Sequence, residues 1–427
     1  MKRSIASVHA RRVWDSRGRP TLEAEVTLAD GTAGRAIAPA GASTGSAEAL
    51  DLRDGGTAFG GMDVQRACAA VNGEIAAALA GRDPTQQGAL DAVLIALDGT
   101  PDKRRLGGNA MVAVSMALAH VAAASQRLPL WRYLAGSRTE FCLPLPEVQI
   151  FGGGAHAGRR VDVQDFMVVA IGATDYAQAL EWTAEVYRAA GELMAKAGRL
   201  SGVADEGGWW PAFDTNEEAL EFLQRAIEHA GYTAGQDVAI ALDIAASDFG
   251  TGGRYRLACE GREVDSDALA EMLLGWLRRY AIVSIEDPFA EDDAQALRRF
   301  TLEAGPKVQV VADDFICTNA LRIAGAALLG ACNTALIKPN QAGTLSETRA
   351  ALDAARAAGW GAIASARSGE TEDVTISHLA VGWGVKQLKV GSFARSERMA
   401  KWNEGLRIGE AIGSFALPPR CAFPWSN

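Results

Sequence analysis

The stretch Ile282-Val283-Ser284-Ile285-Glu286 is a short, mostly apolar run that stops on a carboxylate. Runs of the same kind recur on both sides of it: Phe166–Ile171, Leu200–Ala204, Val238–Asp243, Val308–Asp313, Ala335–Lys338, Ala362–Ser365 and Gln387–Val390. Most are followed by a segment of helical periodicity, and strands that are apolar throughout are those buried on both faces. The polar residues at the later run ends are Asp243, Glu286, Asp313, Lys338, Ser365 and Lys389, separated by 43, 27, 25, 27 and 24 residues. Each step accommodates one strand and one helix, the repeat of a β/α barrel. The spacing therefore predicts an α/β fold with an eight-stranded barrel over residues 141–427.

The first 135 residues read differently. Ser4–Val13 and Thr21–Leu28 alternate apolar and polar residues around the turn-forming Asp15–Pro20 segment, which predicts a hairpin. Helical periodicity follows in Val64–Leu79, Ala89–Leu97 and the alanine-rich Asn109–Ala123. This is a smaller α+β domain, joined to the barrel through a linker at Ala135–Glu140.

Composition narrows the function. A formal net charge of -10 argues against a non-specific nucleic-acid or membrane-surface binder, since both partners are anionic. The six cysteines are scattered without a CxxC pair, so neither a disulfide framework nor a thiolate zinc site is expected. The N-terminus has a basic flank without an apolar run behind it, and no stretch approaches the roughly 20 apolar residues of a membrane span. A cytoplasmic protein is expected.

Barrel active sites are built at the C-terminal strand ends, so these terminal charges should converge on one axis. Solvated loop charge would explain any one of them, but not five successive units with the same arrangement. Asp243, Glu286 and Asp313 gathered together would repel one another without a cation. An oxygen-only donor set favours a hard ion, Mg²⁺ first and Mn²⁺ next. Lys338 and Lys389 follow on later strand ends. Beside a divalent cation and a second cation, a lysine loses its preference for the charged form and approaches the range of a general base. The alternative is that both lysines simply pair with the carboxylates.

These residues lie among longer strings: Asp15-Ser16-Arg17-Gly18, Gly41-Ala42-Ser43-Thr44-Gly45, Asp205-Glu206-Gly207-Gly208, Ser284–Phe289, Asn340-Gln341 and Arg367–Asp373. In order and spacing they resemble the enolase family along nearly the whole chain. The resemblance implies a modified eight-stranded barrel behind an α+β domain, usually as a homodimer, that dehydrates 2-phosphoglycerate to phosphoenolpyruvate. It assigns Asp243, Glu286 and Asp313 to one Mg²⁺ and Ser43, on a mobile loop, to a second. Lys338 would remove the C2 proton and Glu206 would assist departure of the hydroxyl. Lys389 would meet the substrate carboxylate, Arg367 and Ser368 would hold the phosphate, and Gln164, His156 and Asp165 would line the site. The lysine base with magnesium is an established feature of this superfamily, not a deduction from these residues.

The chain departs from the family's pattern in four motifs. Ala366 stands for a histidine in Ser365-Ala366-Arg367-Ser368, and Asp165 for a glutamate in Gln164-Asp165-Phe166. Gly152 replaces an asparagine before Gly153-Gly154-Ala155-His156, and the lid reads Pro39-Ala40-Gly41-Ala42-Ser43. Metal ligands and lysines are untouched, so proton abstraction should survive while the leaving-group end changes. Smaller residues at Ala366, Asp165 and Gly152 would enlarge the pocket for a modified 2-phosphoglycerate, as in a carboxyphosphonoenolpyruvate synthase of phosphonate antibiotic pathways. A non-catalytic binding protein of the same fold would be expected to lose ligands or base, and neither is lost.

Overall fold

The computed structural model describes residues 4–426; the basic start Met1-Lys2-Arg3 lies outside them. The predicted hairpin forms as β1 (Ile5–Trp14) and β2 (Pro20–Leu28), and a third antiparallel strand, β3 (Ala33–Ile37), extends the sheet. The helix Gly108–Ser125 lies across this sheet. Its approach is so close that a Cβ on Gly34 would stand 2.3 Å from the Val121 nitrogen, so only glycine fits there. This helix is apolar and long enough by composition to cross a membrane, contrary to the expectation that no stretch comes near. It is instead 83% buried, as the core helix of the N-terminal domain.

Residues 135–144 carry neither helix nor strand. The barrel then closes from β4 (Leu145–Gly152), β5 (Asp165–Val169), β6 (Ala239–Asp243), β10 (Ile282–Glu286), β11 (Gln309–Ala312), β12 (Thr334–Ile337), β13 (Gly361–Ser365) and β14 (Gln387–Gly391). Between β6 and β10, the short β7 (Gly250–Thr251), β8 (Arg254–Leu257) and β9 (Arg262–Asp265) form a small antiparallel sheet. Several helices that cover the barrel start on side-chain caps. Asp175, Thr215, Asp265, Asp293, Asn319 and Thr344 each accept a backbone N–H of the first turn, a contact typically worth about 1 kcal/mol.

Two expectations are corrected. Leu200–Ala204 is not a strand: it is a loop in which Val203 makes one isolated bridge to Trp209. The missing barrel strand is β4. The barrel is also not all parallel, because β5 runs antiparallel to both β4 and β6. This reversal has a functional consequence. The N-terminal end of β5 lies where the other strands end, and Asp165 pairs in register with Asp243 and Gly152. Inside the barrel, Leu145, Met167, Val169 and Ala241 pack on Phe423 of the C-terminal segment as an apolar floor. The polar residues lie above it.

Candidate active site

The strand-end residues converge. One cavity is lined by Ser43, His156, Gln164, Asp165, Glu206, Asp243, Lys338, Ser365, Ala366, Arg367, Ser368, Lys389 and Val390. Glu286 and Asp313 join it through the lysines. Lys389 Nζ lies 2.8 Å from both Asp243 Oδ2 and Glu286 Oε2, and 3.4 Å from Asp165 Oδ2. Lys338 Nζ donates to Asp313 Oδ2, whose other oxygen accepts from Gln341 Nε2 at 2.8 Å. Gln164 Nε2 donates to Asp243 Oδ2 at 3.0 Å. Asp287, in the left-handed region at φ 41°, accepts the backbone N–H groups of Asp313 and Asp314 at 2.8 Å each. It thereby ties the end of β10 to the end of β11.

The electrostatics follow from crowding in a buried space. Burial first, and Asp243 second, hold the Glu286 carboxyl well above the usual carboxylate range. Burial and Asp313 push Asp287 up to about 8 and Asp314 to about 9. Lys338 is subject to two opposing influences. Burial lowers it, but Asp313 and Glu286 outweigh burial, and its ammonium form is favoured. Lys389 is raised further, with Asp243, Glu286 and Asp165 overcoming burial. With protein groups alone, each lysine is a counter-ion of the carboxylates.

The oxygens suit a hard cation. Glu286 Oε1 is buried with no hydrogen-bond partner among the described residues, in a region of excess carboxylate. Oxygens of Asp287, Asp313 and Asp314 come within 4.8 Å of one another, but Asp287 spends both on backbone N–H groups. The donor set expected from the sequence is bridged by lysines instead, Lys389 taking Asp243 and Glu286 and Lys338 taking Asp313. A second compact group, His156, Asp165 and Glu206, stands on the other side of the cavity.

The N-terminal domain closes the cavity. Ala40 and Gly369 exchange backbone hydrogen bonds at 2.9 and 2.8 Å, while Arg17 donates to the Ala40 and Gly41 carbonyls. Asp15 Oδ1 in turn accepts the N–H of Arg17 and of Arg19, which fixes the hairpin turn. Arg367 reaches back to the Ser43 carbonyl at 3.0 Å and to Glu48. Thus Ser43, Arg367 and Ser368 meet although the sequence separates them widely.

At the opposite end, His156 Nε2 stands 3.7 Å from Asp165 Oδ1 and 3.8 Å from Glu206 Oε1. Burial pushes Glu206 up, but His156, Arg398 and the two lysines outweigh it and keep the carboxylate ionised. Burial raises Asp165. Gln149 ties Asp165 to the loop that follows Glu206, donating to Asp165 Oδ1 and accepting the Gly208 N–H at 2.8 Å. The expected enlargement of the pocket at Gly152 is not found. A Cβ there would meet the Ala204 Cβ at 2.7 Å and Gln149 Oε1 at 3.2 Å, so neighbours already fill that space. Of the three reduced positions, Ala366 and Asp165 line the cavity.

Sequence reasoning overlooked four residues. Gln149 and Glu48 are two of them. The others are Arg398 and Lys401, fully buried on the helix Ser396–Ile412. Arg398 donates to the carbonyls of Arg367 (2.6 Å), Val390 (2.8 Å) and Ser368, and Lys401 to that of Thr371 (2.7 Å). Their spacing of three on one helix face was the available signal.

A closed barrel with buried acids and lysines at its mouth, under an α+β cap, is the architecture of the hydro-lyases of the enolase superfamily, to which the following likenesses assign this chain. Residues 5–134 match the family model "Enolase, N-terminal domain", and residues 140–418 match "Enolase, C-terminal TIM barrel domain". The chain is 47% identical over 418 residues to Enolase 1 of Desulfitobacterium hafniense (strain Y51), covering 97% of this chain and 95% of that protein. The chain belongs to the enolase family.

Proposed function

We propose that this enzyme dehydrates 2-phosphoglycerate to phosphoenolpyruvate in a Mg²⁺-dependent reaction. The carrying observation is the convergence of Lys338, Glu206, Lys389 and Arg367 on one cavity beside unpaired carboxylate oxygen. Asp243, Glu286 and Asp313 would hold one Mg²⁺, or Mn²⁺ in its place, and Ser43 would help to hold a second. Bound there, the ions supply positive charge where the substrate carboxylate becomes a dianion.

Lys338 removes the C2 proton. Its ammonium must first give up a proton to solvent, which would be easier with Asp313 engaged as a ligand and no longer favouring the charged form. Lys389 meets the substrate carboxylate; Arg367 and Ser368 take the phosphate. Glu206, ionised in the free protein, must first take up a proton from solvent, which it then gives to the C3 hydroxyl as that group leaves as water; Gln164, His156 and Asp165 shape that end. As a family member the enzyme would act in glycolysis, in the cytoplasm and as a homodimer. Its partner is a small phosphorylated carboxylate and neither nucleic acid nor membrane. On this reading the two domains divide at 135/141.

A second reading is favoured by one observation: Ala366 faces the cavity with only a methyl group. The substrate would then be a modified 2-phosphoglycerate with a bulkier leaving-group or phosphorus end, as for a carboxyphosphonoenolpyruvate synthase. Steady-state turnover of 2-phosphoglycerate with Mg²⁺ separates the two. Near-normal turnover sinks the second reading, and undetectable turnover in folded, Mg²⁺-binding protein sinks the first.

A further inference from the structure

Glu147 lies midway along β4, in register with Lys389 of β14 on one side and Val169 of β5 on the other. Its chain neighbours show where it points. Val148 and Ile150 join the core outside the barrel, whereas Leu145 belongs to the interior floor and Gln149 reaches Asp165. By alternation Glu147 projects inward, between the apolar floor and the ion network. It is 1% exposed, and its Oε2 has no hydrogen-bond partner among the described residues.

An unpartnered acid in such a place is costly, and the neighbouring interior residues Leu145, Met167 and Val169 show that an apolar side chain would suit the layer. Burial pushes its carboxyl up to about 7, and the fold gives no reason for an acid here. Its neighbour does. Lys389 now uses Asp243 Oδ2 and Glu286 Oε2, the same oxygens that a cation requires. An ammonium held beside that cation would be strongly repelled. Asp165 is a poor substitute, being farther away at 3.4 Å and already engaged by Gln149. The remaining acid on an adjacent strand, with a free oxygen, is Glu147.

We propose that Glu147 is a positioning residue for Lys389, the acceptor to which the Lys389 ammonium turns when Asp243 and Glu286 take up a cation. This rests on the metal reading above. Glu147 holds Lys389 over the floor of the cavity without competing for the metal oxygens.

The test is calorimetric titration of Mg²⁺ into the metal-free, full-length protein, with no turnover involved. Glu147→Gln should weaken Mg²⁺ binding about tenfold, and Glu147→Met, of similar volume and apolar, should do the same while raising the melting temperature of the metal-free form. In a Lys389→Met background, either change should move the Mg²⁺ Kd by less than about threefold, because the ammonium to be relocated is gone. Equal weakening in both backgrounds would mark Glu147 as a mere nearby negative charge and overturn the proposal. Unchanged Mg²⁺ affinity in Glu147→Gln, with binding intact in the unaltered protein, would overturn it alone. No Mg²⁺ binding by the unaltered protein would overturn the metal reading and this inference together.

Discussion

Arg367 of the barrel and Glu48 of the N-terminal domain form a two-pronged ion pair, with Nη1 3.0 Å from Oε2 and Nη2 3.2 Å from Oε1. Both side chains are almost fully buried. Burial lowers the Arg367 guanidinium, but Glu48, together with Asp313 and Asp314, outweighs burial and raises it. The pair joins the lid to the group proposed to hold phosphate, so a phosphate must share or displace the Glu48 carboxylate. Glu48→Gln should therefore tighten inorganic phosphate binding on the order of tenfold, measured by calorimetry. Weaker phosphate binding in this variant would show that Glu48 holds Arg367 in place and does not compete.

Arg398 supports the same loop from below. It donates to the carbonyls of Arg367, Val390 and Ser368 from a fully buried position. Arg398→Met would leave those acceptors unsatisfied, at a cost of about 3–5 kcal/mol of unfolding free energy. Urea unfolding checks this. Unchanged stability would show that the loop holds itself.

Arg398 also illustrates what sequence conveyed and what it hid. The repeat of strand ends from Asp243 to Lys389 was readable because each apolar run stops on an ionisable group, and the barrel displays those groups on one rim. β4 was not, because Glu147 and Gln149 interrupt its apolar run and it ends on Gly152. Leu200–Ala204 imitated a strand end simply because apolar residues precede Asp205. The reversed β5 carries Gln164 and Asp165 at its start, which a rule about C-terminal ends cannot find. Polar residues on a helix usually face water, so the spacing of three that puts Arg398 and Lys401 on one helix face does not by itself say that the face is buried.

Asp91 offers a pH test at the domain boundary. It accepts from Ser115 Oγ (2.7 Å) within the N-terminal domain and from Ser346 N (2.9 Å) and Oγ (2.6 Å) of the barrel. Burial raises it above the ordinary carboxylate value despite these bonds. A raised folded-state value means that the folded protein binds this proton more tightly than the unfolded chain. The contribution is then fully present below the ordinary Asp value of about 4 and is lost as pH rises through the raised value. The stability of the unaltered protein relative to Asp91→Asn should fall over that interval in thermal melts. A difference that stays flat with pH would contradict it.

Metal should also appear in stability. Mg²⁺ that binds only the folded chain adds about 2.7 kcal/mol at a hundredfold excess over its Kd, and a chelator should remove that gain. Asp243→Asn should abolish the Mg²⁺-dependent rise in melting temperature. Glu23→Gln, a buried acid of the N-terminal sheet away from the cavity, should retain it. A rise that persists in Asp243→Asn would move the metal elsewhere.

The central claim is that Lys338 takes a proton from carbon beside a carboxylate. Exchange of the C2 hydrogen of 2-phosphoglycerate, followed by NMR in deuterium oxide with Mg²⁺, tests it most directly. Exchange should be evident with the unaltered protein and reduced at least about 10³-fold in folded, Mg²⁺-binding Lys338→Ala. Exchange at an undiminished rate in that variant would contradict the account.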